Sequence, residues 1–553
     1  MRGSPSERGA MLQERVIELA AIQTSERSPL ATPPSMVGSL TLRQELSALT
    51  SMAVQISLRQ MVRQVMTITD AAFQGHIGTK QLAGVALAGM WMGVPSAFVQ
   101  FAIQAVSTLC SQAYGAGNHH LVGIWLQTAI VFAVLGAVPV MVWYMFVGHM
   151  IGLTMEDAET VAYGGEFARV MALGLVPQYV YGALTAYFAT QGVVMPSTVC
   201  SVLTMLLNIV FNQVLIHGAF GWRGLGFIGS PLATLMSTLV QLVAFVGYTI
   251  VWKRYHERFW GGWTWACVSK AHVDGFLALA MPMGASAVVD WTSATVASAF
   301  SGYLGLNIAA CQAVLNGIFG VVSSVVSGIA TATQIRMSGY LGQGGARQAK
   351  RVYALGASLV LVSAGWLLAA VFVFSDTLFA IWTNDVVLHE MSHAALPAFL
   401  SCSFIAFFRF LLTAAMNALS KADWNLVANN VASWLVYVPL SYLLPIRAGA
   451  GLEGFWWADA VGELVKALIL LRGLSRLDWR AAANEAHAAA ETSQDTTGED
   501  ENRELNAVKN EVLLRTPRSF KSPSINMSMT PPMTPNDIRR AMGRSRSMVN
   551  PKV

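Results

Sequence analysis

Charged residues are scarce in this chain of 553 residues: they make up 12% of it, and the visibly polar stretches are confined to its two ends. A soluble protein of this length could not cover its surface with so little charge. Hydrophobic residues account for 54% of the sequence, and apolar runs of about 20 residues, the length that crosses a bilayer, recur through its middle. The composition therefore excludes a soluble globular domain and predicts a multi-pass protein of the lipid bilayer.

Cysteine is also scarce, and two common signatures of catalysis are missing. The five cysteines are odd in number and show no CxxC spacing, which favours small buried hydrophobes over disulfides or a metal site. The sequence has no GxSxG or Walker A pattern, and no dinucleotide-binding glycines that open a soluble unit. We predict that the protein is not an enzyme and holds no metal or cofactor. Because the sequence has no nucleotide-binding motif, we expect an H⁺ or Na⁺ gradient to supply its energy. The net charge of +5 requires no nucleic acid partner.

A long internal repeat organises the chain. Phe73-Gln-Gly75-His-Ile-Gly78 returns as Phe300-Ser-Gly302-Tyr-Leu-Gly305, and Tyr114-Gly115-Ala-Gly117 returns as Leu341-Gly342-Gln-Gly344. The offset is 227 in both cases, since 305 − 78 and 342 − 115 give the same number. A duplicated unit of roughly 200 to 230 residues is typical of two-lobed transporters. Because glycine permits tight turns and close backbone approach, we interpret these glycines as structural.

Twelve apolar runs predict an all-α bundle of twelve membrane-spanning helices, six in each repeat. The first six are 46–73, 83–112, 121–147, 166–190, 194–217 and 228–252, and the second six are 275–303, 308–335, 350–375, 393–418, 424–445 and 452–472. We therefore predict an N-terminal lobe over 42–255, a linker over 256–271 and a C-terminal lobe over 272–475. Polar composition predicts disordered tails over 1–41 and 476–553.

Charge in the short connections predicts the orientation. Lys253, Arg254, Arg347 and Lys350 lie in connections that face one side, whereas those of the other side carry acidic residues. The positive-inside rule places both tails and the linker in the cytoplasm. Six crossings per repeat return the chain to the same side, so the repeats should be parallel. Four Ser-Pro or Thr-Pro pairs beside basic residues make the C-terminal tail a candidate for kinases, with a plain solvated tail as the alternative.

Several motifs resemble one known family. Thr69-Asp70-Ala-Ala-Phe73, running on to Gly78, and Gln112-Ala-Tyr114-Gly115-Ala-Gly117 are similar to the first two helices of multidrug and toxic compound extrusion (MATE) transporters. Pro282 with Asp290-Trp291, then Arg336 to Gly344, resembles the start of their second lobe. The resemblance covers about residues 42 to 475. It implies a V-shaped pair of six-helix lobes around a central cavity, exporting organic solutes in exchange for H⁺ or Na⁺.

Intramembrane acids are the candidate coupling residues. A charge at mid-membrane costs about 2.5 to 3.5 kcal/mol on insertion scales, so an acid there is by default a functional hypothesis. Asp290 stands alone in an apolar run, and the resemblance matches it to an acidic position of helix seven; pairing with Arg409 is the alternative. Asp70 matches a cation-coupling position of prokaryotic relatives, and Asn208 and Asn212, spaced i and i+4, match the polar pair that faces it. A structural hydrogen-bond network is the alternative for these three residues.

Other polar and aromatic residues are candidates for the substrate cavity: Gln312, Asn316, Trp291, Thr295, Tyr181 and Arg409. Thr295 and the acid-free segment around Arg409 depart from eukaryotic relatives, which often carry acids there. Arg59 and Arg63 in helix one favour snorkelling towards the headgroups, although Arg63 is the repeat equivalent of Asp290, since 290 − 63 is 227. Asp459, Glu463 and Lys466, spaced 4 and 3 apart, indicate an internally paired strip.

We thus predict a functional monomer that exports organic cations, drugs or toxic metabolites by alternating access. An exporter of organic anions such as carboxylates, or a lipid-linked flippase of the same superfamily, remains an alternative. The home membrane is the plasma membrane or a vacuolar or other endomembrane.

Overall fold

In the computed structural model the chain is described over residues 40–219, 221–382 and 385–491. These residues form α-helices with short 3-10 and π-helical segments, and they contain no strand. Most of the predicted N-terminal tail and the Ser-Pro and Thr-Pro pairs of the C-terminal tail lie outside the described residues.

Twelve long helices follow one another in that part of the chain. The first six are α1 (Leu42–Ile77), α2 (Thr79–Gly115), α3 (His119–Gly152), α4 (Ala158–Ala172 continued by Leu175–Thr190), α5 (Met195–His217) and α6 (Gly226–Trp252). The second six are α7 (Lys270–Tyr303), α8 (Leu306–Gly342), α9 (Ala346–Val373), α10 (Val386–Ala418), α11 (Asp423–Arg447) and α12 (Gly451–Arg476). A short helix, Ser375–Trp382, joins α9 to α10.

The prediction of twelve helices, six in each repeat, is confirmed. Each predicted span coincides with one of α1–α12, apart from overruns of one or two residues at two ends. Among the described helices, nine are long and apolar enough to cross a membrane on length and composition alone. The other three differ because α1 and α12 carry several charged side chains and α4 is interrupted at Gly174.

The two lobes meet through helix pairs that the repeat relates: α1 packs against α8, and α2 packs against α7. A Cβ atom on Gly115 would overlap the Gly339 backbone, and one on Gly342 would overlap the Gln112 backbone. Gly115 and Gly342 are 227 positions apart, and so are Gln112 and Gly339. The same contact is therefore made twice with the lobes exchanged, which defines a pseudo-twofold axis between them.

That axis passes close to two hydrogen-bonded side chains. Gln334 Nε2 donates to Ser107 Oγ over 3.2 Å, and these residues are themselves repeat equivalents, since 334 − 107 is 227. A residue can contact its own equivalent only near the axis that relates the two lobes. Equivalent helices of the two repeats run in the same direction, because each repeat has six crossings. The axis therefore runs along the bundle, as expected for parallel repeats.

Contacts between the lobes are concentrated at the end of the bundle where α1 begins and α8 ends, which we call the closed end. Glu45 of α1 accepts hydrogen bonds from Arg336 Nε (2.6 Å), Arg336 Nη2 (2.8 Å) and Tyr340 Oη (2.7 Å) of α8. Gln112 Nε2 donates to the Ala418 carbonyl oxygen over 3.1 Å. These bonds tie the lobes together in the half of the bundle that contains the glycine contacts.

The opposite end, which we call the open end, lacks such ties within the described ranges. Trp291 of α7 lies against Gly93 of α2 and marks the level at which the lobes part. Beyond it, Tyr303 and Leu306, where α7 passes to α8, are 80% and 85% exposed. The two lobes are thus packed at one end and separated at the other.

The glycines of the repeated motifs have different structural roles. Gly117 (φ +80°) and Gly305 (φ +119°) adopt a backbone conformation that favours glycine, and Gly115 and Gly342 allow the lobes to approach. By contrast, Gly302 has open space around a would-be Cβ, Gly75 meets only ordinary contact, and Gly78 has extended backbone.

Residues 479–491 form a helix, so the prediction of a disordered tail from residue 476 is wrong for this segment. Its alanine-rich composition resembles that of a polar tail, but one face is apolar and buries Trp479 and Ala483. Asn118 Nδ2 donates to the Ala490 carbonyl oxygen over 2.9 Å, and His487 Nδ1 lies 2.7 Å from the Gly342 carbonyl oxygen. The helix therefore contacts both lobes at the closed end.

Candidate functional site

The N-terminal lobe contains a polar cluster around Asp70 of α1. Asn212 Nδ2 of α5 donates to Asp70 Oδ1 over 2.7 Å, and Thr234 Oγ1 of α6 donates to Asp70 Oδ2 over 3.1 Å. Asn212 Nδ2 also lies 3.1 Å from Asn208 Oδ1, and both asparagines are fully buried. The structure thus brings together the three residues that the sequence groups, Asp70, Asn208 and Asn212, and adds Thr234 to them.

This cluster is not saturated with hydrogen bonds. Asn212 Oδ1 and Asn208 Nδ2 are buried and have no hydrogen-bond partner among the described residues. Leaving buried polar atoms unpaired costs about 1 to 3 kcal/mol each. A small cation or a water molecule between the carboxylate and the Asn212 oxygen would satisfy the oxygen atoms.

The C-terminal lobe places Asp290 of α7 in an ion pair. Lys466 Nζ of α12 lies 2.8 Å from Asp290 Oδ1, and Asn429 Nδ2 of α11 donates to Asp290 Oδ2 over 2.8 Å. The Asp290 side chain is 34% exposed, whereas that of Lys466 is 7% exposed. The carboxylate therefore stands at the surface of the lobe with its cationic partner behind it. The partner is Lys466 rather than Arg409.

Charged residues of α10 and α12 extend this network. Arg409 Nε donates to Glu463 Oε2, and Glu463 Oε1 lies 3.1 Å from Lys466 Nζ. Cys402 Sγ donates to Asp459 Oδ2 over 3.3 Å. The expectation that Asp459, Glu463 and Lys466 form an internally paired strip is confirmed for Glu463 and Lys466 only. Asp459 and Glu463 also bond to Cys402 and Arg409 of α10. The reason is geometric: a strip on one helix face also meets whichever helices pack on that face.

The network has an uneven charge count. Its acids are Asp290, Asp459 and Glu463, and its bases are Arg409 and Lys466. With all five groups ionised, one negative charge is left over. A net charge held away from water is costly, so the network is suited to bind one further positive charge.

The remaining cavity candidates are dispersed. Asn316 is exposed on the same face of α8 as Gly320, which contacts Gln64 of α1, so Asn316 lies where the lobes part. Gln312 Oε1 is buried without a partner in the described residues. Trp291 is 45% exposed beside Gly93.

Two candidates bind within their own lobe. Thr295 Oγ1 donates to the Trp291 carbonyl oxygen of its own helix over 2.9 Å. Tyr181 is buried, and its hydroxyl donates to the Ser197 carbonyl oxygen over 3.3 Å. Neither position offers a free aromatic face or hydroxyl to a solute in this arrangement.

Sequence reasoning missed Lys466 and Asn429 as partners of Asp290, and Thr234 as a partner of Asp70. One signal was available: Asn425 and Asn429 of α11 are spaced i and i+4, as Asn208 and Asn212 are in α5. The pairing of Asp290 with Lys466 spans 176 positions, and no local pattern indicates it.

Two six-helix lobes related by a pseudo-twofold axis, packed at one end and separated at the other, with charged clusters inside apolar helices, define a secondary transporter of the bilayer. The MatE family model matches residues 56–214 and 282–443, more than half of the chain. The chain belongs to this family of MATE transporters, and it is a transporter and not an enzyme.

Relatives and solved structures agree with this assignment. The chain is 26% identical over 485 residues to multidrug and toxin extrusion protein 1 of Xenopus tropicalis, covering 86% of this chain and 83% of that protein. It is 25% identical over 459 residues to the human protein of the same name, with 81% and 78% covered. Its fold is similar to that of the eukaryotic MATE transporter AtDTX14, with a TM-score of 0.76 at 20% identity and coverage of 81% and 99%. An outward-facing multidrug resistance MATE transporter superposes with a TM-score of 0.71 at 17% identity, with 80% and 97% covered.

Proposed function

We propose that this protein exports organic solutes in exchange for H⁺, and that Asp290 is the group that takes up the proton. The observation that carries this proposal is the charge count of the C-terminal network, in which three carboxyl groups face two cationic side chains. One proton on Asp290 balances the charge. So does one cationic solute next to Asp290.

Mutual exclusion of these two cations supplies the exchange. A proton on Asp290 removes the attraction that holds Lys466 and at the same time removes the net charge that attracts a cationic solute. Binding of either cation therefore disfavours binding of the other, which is the thermodynamic requirement for antiport. Asp290 is accessible for both because its side chain is one-third exposed, in contrast to Lys466 and Glu463.

The surroundings of Asp290 favour H⁺ over Na⁺ at this position. Both carboxylate oxygens accept from nitrogen donors, the ammonium of Lys466 and the carboxamide of Asn429. A sodium ion needs several oxygen ligands and would sit beside a fixed ammonium. A proton needs only one carboxylate oxygen.

Asp70 supports a second coupling site. Its neighbours are uncharged, and Asn212 Oδ1 is a buried oxygen without a described partner. A carboxylate, a carboxamide oxygen and the Thr234 hydroxyl make an oxygen-rich set that is open to Na⁺ as well as to H⁺. We keep Na⁺ coupling at Asp70 as the alternative to H⁺ coupling at Asp290.

Both termini, and with them the closed end, are assigned to the cytoplasm on the basis of the Lys and Arg residues in the connections. The open end then faces the side to which the solute is released, either outside the cell or inside an endomembrane compartment. We propose a functional monomer with no resident cofactor, whose partners are a small organic solute and the lipid bilayer.

The test is efflux of radiolabelled tetraethylammonium from proteoliposomes under an imposed pH gradient. The proposal expects Asp290→Asn to abolish gradient-driven efflux, whereas Asp274→Asn, an acid near the start of the same helix, should leave it intact. Gradient-driven efflux that persists in Asp290→Asn would contradict the assignment. Efflux that needs a Na⁺ gradient and is lost in Asp70→Asn would replace it with the alternative.

A further inference from the structure

The N-terminal lobe contains two arginines that no acid neutralises. Arg59 and Arg63 are spaced i and i+4 on α1, and the described residues form no salt bridge with either of them. Arg59 Nη1 has one hydrogen bond, to Ser197 Oγ of α5 over 3.5 Å. Every other intramembrane cation discussed above, Arg336, Arg409 and Lys466, is paired with a carboxylate. Arg59 and Arg63 are therefore the exception.

Both guanidinium groups face the interior of the bundle. Positions 59, 63 and 70 lie on one face of a helix, and Asp70 on that face is bonded to α5 and α6. Both arginines also lie within electrostatic reach of the buried Tyr181 hydroxyl of α4. The exposed apolar face of α1, with Val54, Leu58 and Val65, points elsewhere. Snorkelling of these arginines to the headgroups does not fit this direction.

The Arg63 side chain is exposed, and that of Arg59 is half-buried. Because this face of α1 is turned towards α5 and α6 and not away from the bundle, we place the exposed Arg63 side chain in the cavity between the lobes. Ser197, which bonds to Arg59, belongs to a chain of neutral hydrogen-bonding groups that continues through Tyr181 and Ser201 to Gln241. The lining combines two cations with neutral hydrogen-bonding groups and contains no carboxylate among the described contacts.

The repeat places this pair opposite the acidic network. Arg63 is equivalent to Asp290, since 290 − 63 is 227. The equivalent positions of the two lobes thus carry opposite charge, basic in the N-terminal lobe and net acidic in the C-terminal lobe. Asp70 lies seven residues from Arg63, about 10 Å further along the helix at 1.5 Å per residue, so it does not neutralise the pair directly.

We propose that Arg59 and Arg63 bind a carboxylate or similar oxyanion group of the transported solute. Guanidinium groups match the geometry of such anions and hold them by charge-assisted hydrogen bonds. The cavity then has an anion site at the arginines in addition to the cation site beside Asp290, and the charge on the arginines is balanced only when a solute with an anionic group is bound. This inference rests on the proposed export of organic solutes, and it extends that proposal to the substrate class.

The test measures binding without any ion gradient, so that it does not depend on coupling. Radiolabelled p-aminohippurate, a carboxylate, and tetraethylammonium, which has no oxyanion, are bound to the purified full chain in detergent. The proposal expects Arg63→Gln to weaken p-aminohippurate binding at least about tenfold, which is 1.4 kcal/mol, and to change tetraethylammonium binding less than about twofold. The control is Arg223→Gln, which removes the same charge from an exposed loop and should change neither.

If Arg63→Gln does not fold, protection of the native protein from chemical modification tests the same proposal. In the unmodified sequence, p-aminohippurate should slow the reaction of phenylglyoxal with Arg63 and leave its reaction with Arg223 unchanged, as measured by peptide mass spectrometry. Absence of p-aminohippurate binding to the native chain, equal binding to native and Arg63→Gln protein, or no protection of Arg63 would overturn the inference. These measurements do not depend on Asp290. Loss of pH-driven transport in Asp290→Asn would therefore leave the anion site supported, and failure of the anion site would leave the proposed H⁺ coupling untouched.

Discussion

Replacing Glu45 by glutamine should release the closed end of the bundle. Glu45 forms a bidentate pair with Arg336 across the lobe boundary, at 2.6 and 2.8 Å, and Tyr340 donates to it as well. The three side chains are only 2%, 6% and 4% exposed. Glutamine keeps the shape and one acceptor oxygen but leaves the guanidinium without a counter-charge in a buried position.

The size of the effect follows from that burial. Removing one partner of a buried ion pair costs about 3 to 5 kcal/mol because the other charge is left uncompensated. Since glutamine still accepts a hydrogen bond, we take the lower value, about 3 kcal/mol, which is roughly a hundredfold change in an equilibrium constant. The pair joins the lobes only in this arrangement, so the change acts on the balance between conformations and less on each lobe by itself.

The assay is the distance between nitroxide labels at Arg254, just after α6, and Arg347, in the first turn of α9, which are exposed positions of the two lobes at the closed end. We expect a single short distance in the parent protein and a second, longer distance in Glu45→Gln. Exchanging the charges, with Glu45→Arg combined with Arg336→Glu, should restore the short distance. Asp157→Asn removes an exposed pair with Lys80 inside one lobe and serves as the control. An unchanged distance distribution in Glu45→Gln would refute the reasoning.

Two further predictions follow from the same structure. Gly115→Ala places a Cβ on the Gly339 backbone, so it should lower the thermal unfolding temperature and lengthen the same label distance, whereas Gly302→Ala, which meets open space, should do neither; equal behaviour of both variants would contradict the close packing of the lobes. Lys466→Met leaves Asp290 and Glu463 with fewer cationic partners and should lower the unfolding temperature by the equivalent of about 3 to 5 kcal/mol. Adding Asp290→Asn should recover part of that loss, and strict additivity of the two changes would argue against the pair.

The helices and the family were within reach of the sequence because both depend on local patterns. Apolar runs report directly on burial in lipid, since every backbone group in a bilayer must be paired within its own helix. The offset of 227 likewise needs no tertiary information, and the contact between Gly115 and Gly339 follows the symmetry that this offset implies. Tail structure was harder: helix 479–491 folds on contacts with both lobes, and its composition alone resembles a disordered segment.

The candidate site also has one part that local patterns predict and one part that only helix packing decides. Asp70, Asn208 and Asn212 could be grouped because the asparagines share a helix face, and the structure brings all three together. The fate of Asp290 could not be predicted in this way. Whether it stands alone, pairs with Arg409 or pairs with Lys466 depends on how α7 is rotated relative to α10 and α12.

By itself, then, the sequence determined that this protein lies in a membrane, that it consists of two parallel six-helix repeats, and that its acids and arginines are the residues to examine. The tertiary structure alone decided which charges neutralise one another, which end of the bundle is closed, and that Arg59 and Arg63 keep their charge uncompensated. The physical reason is the distance along the chain over which each property is decided. Burial in lipid is a property of each segment, whereas electrostatic pairing between helices depends on atoms placed within about 4 Å by the packing of the whole chain.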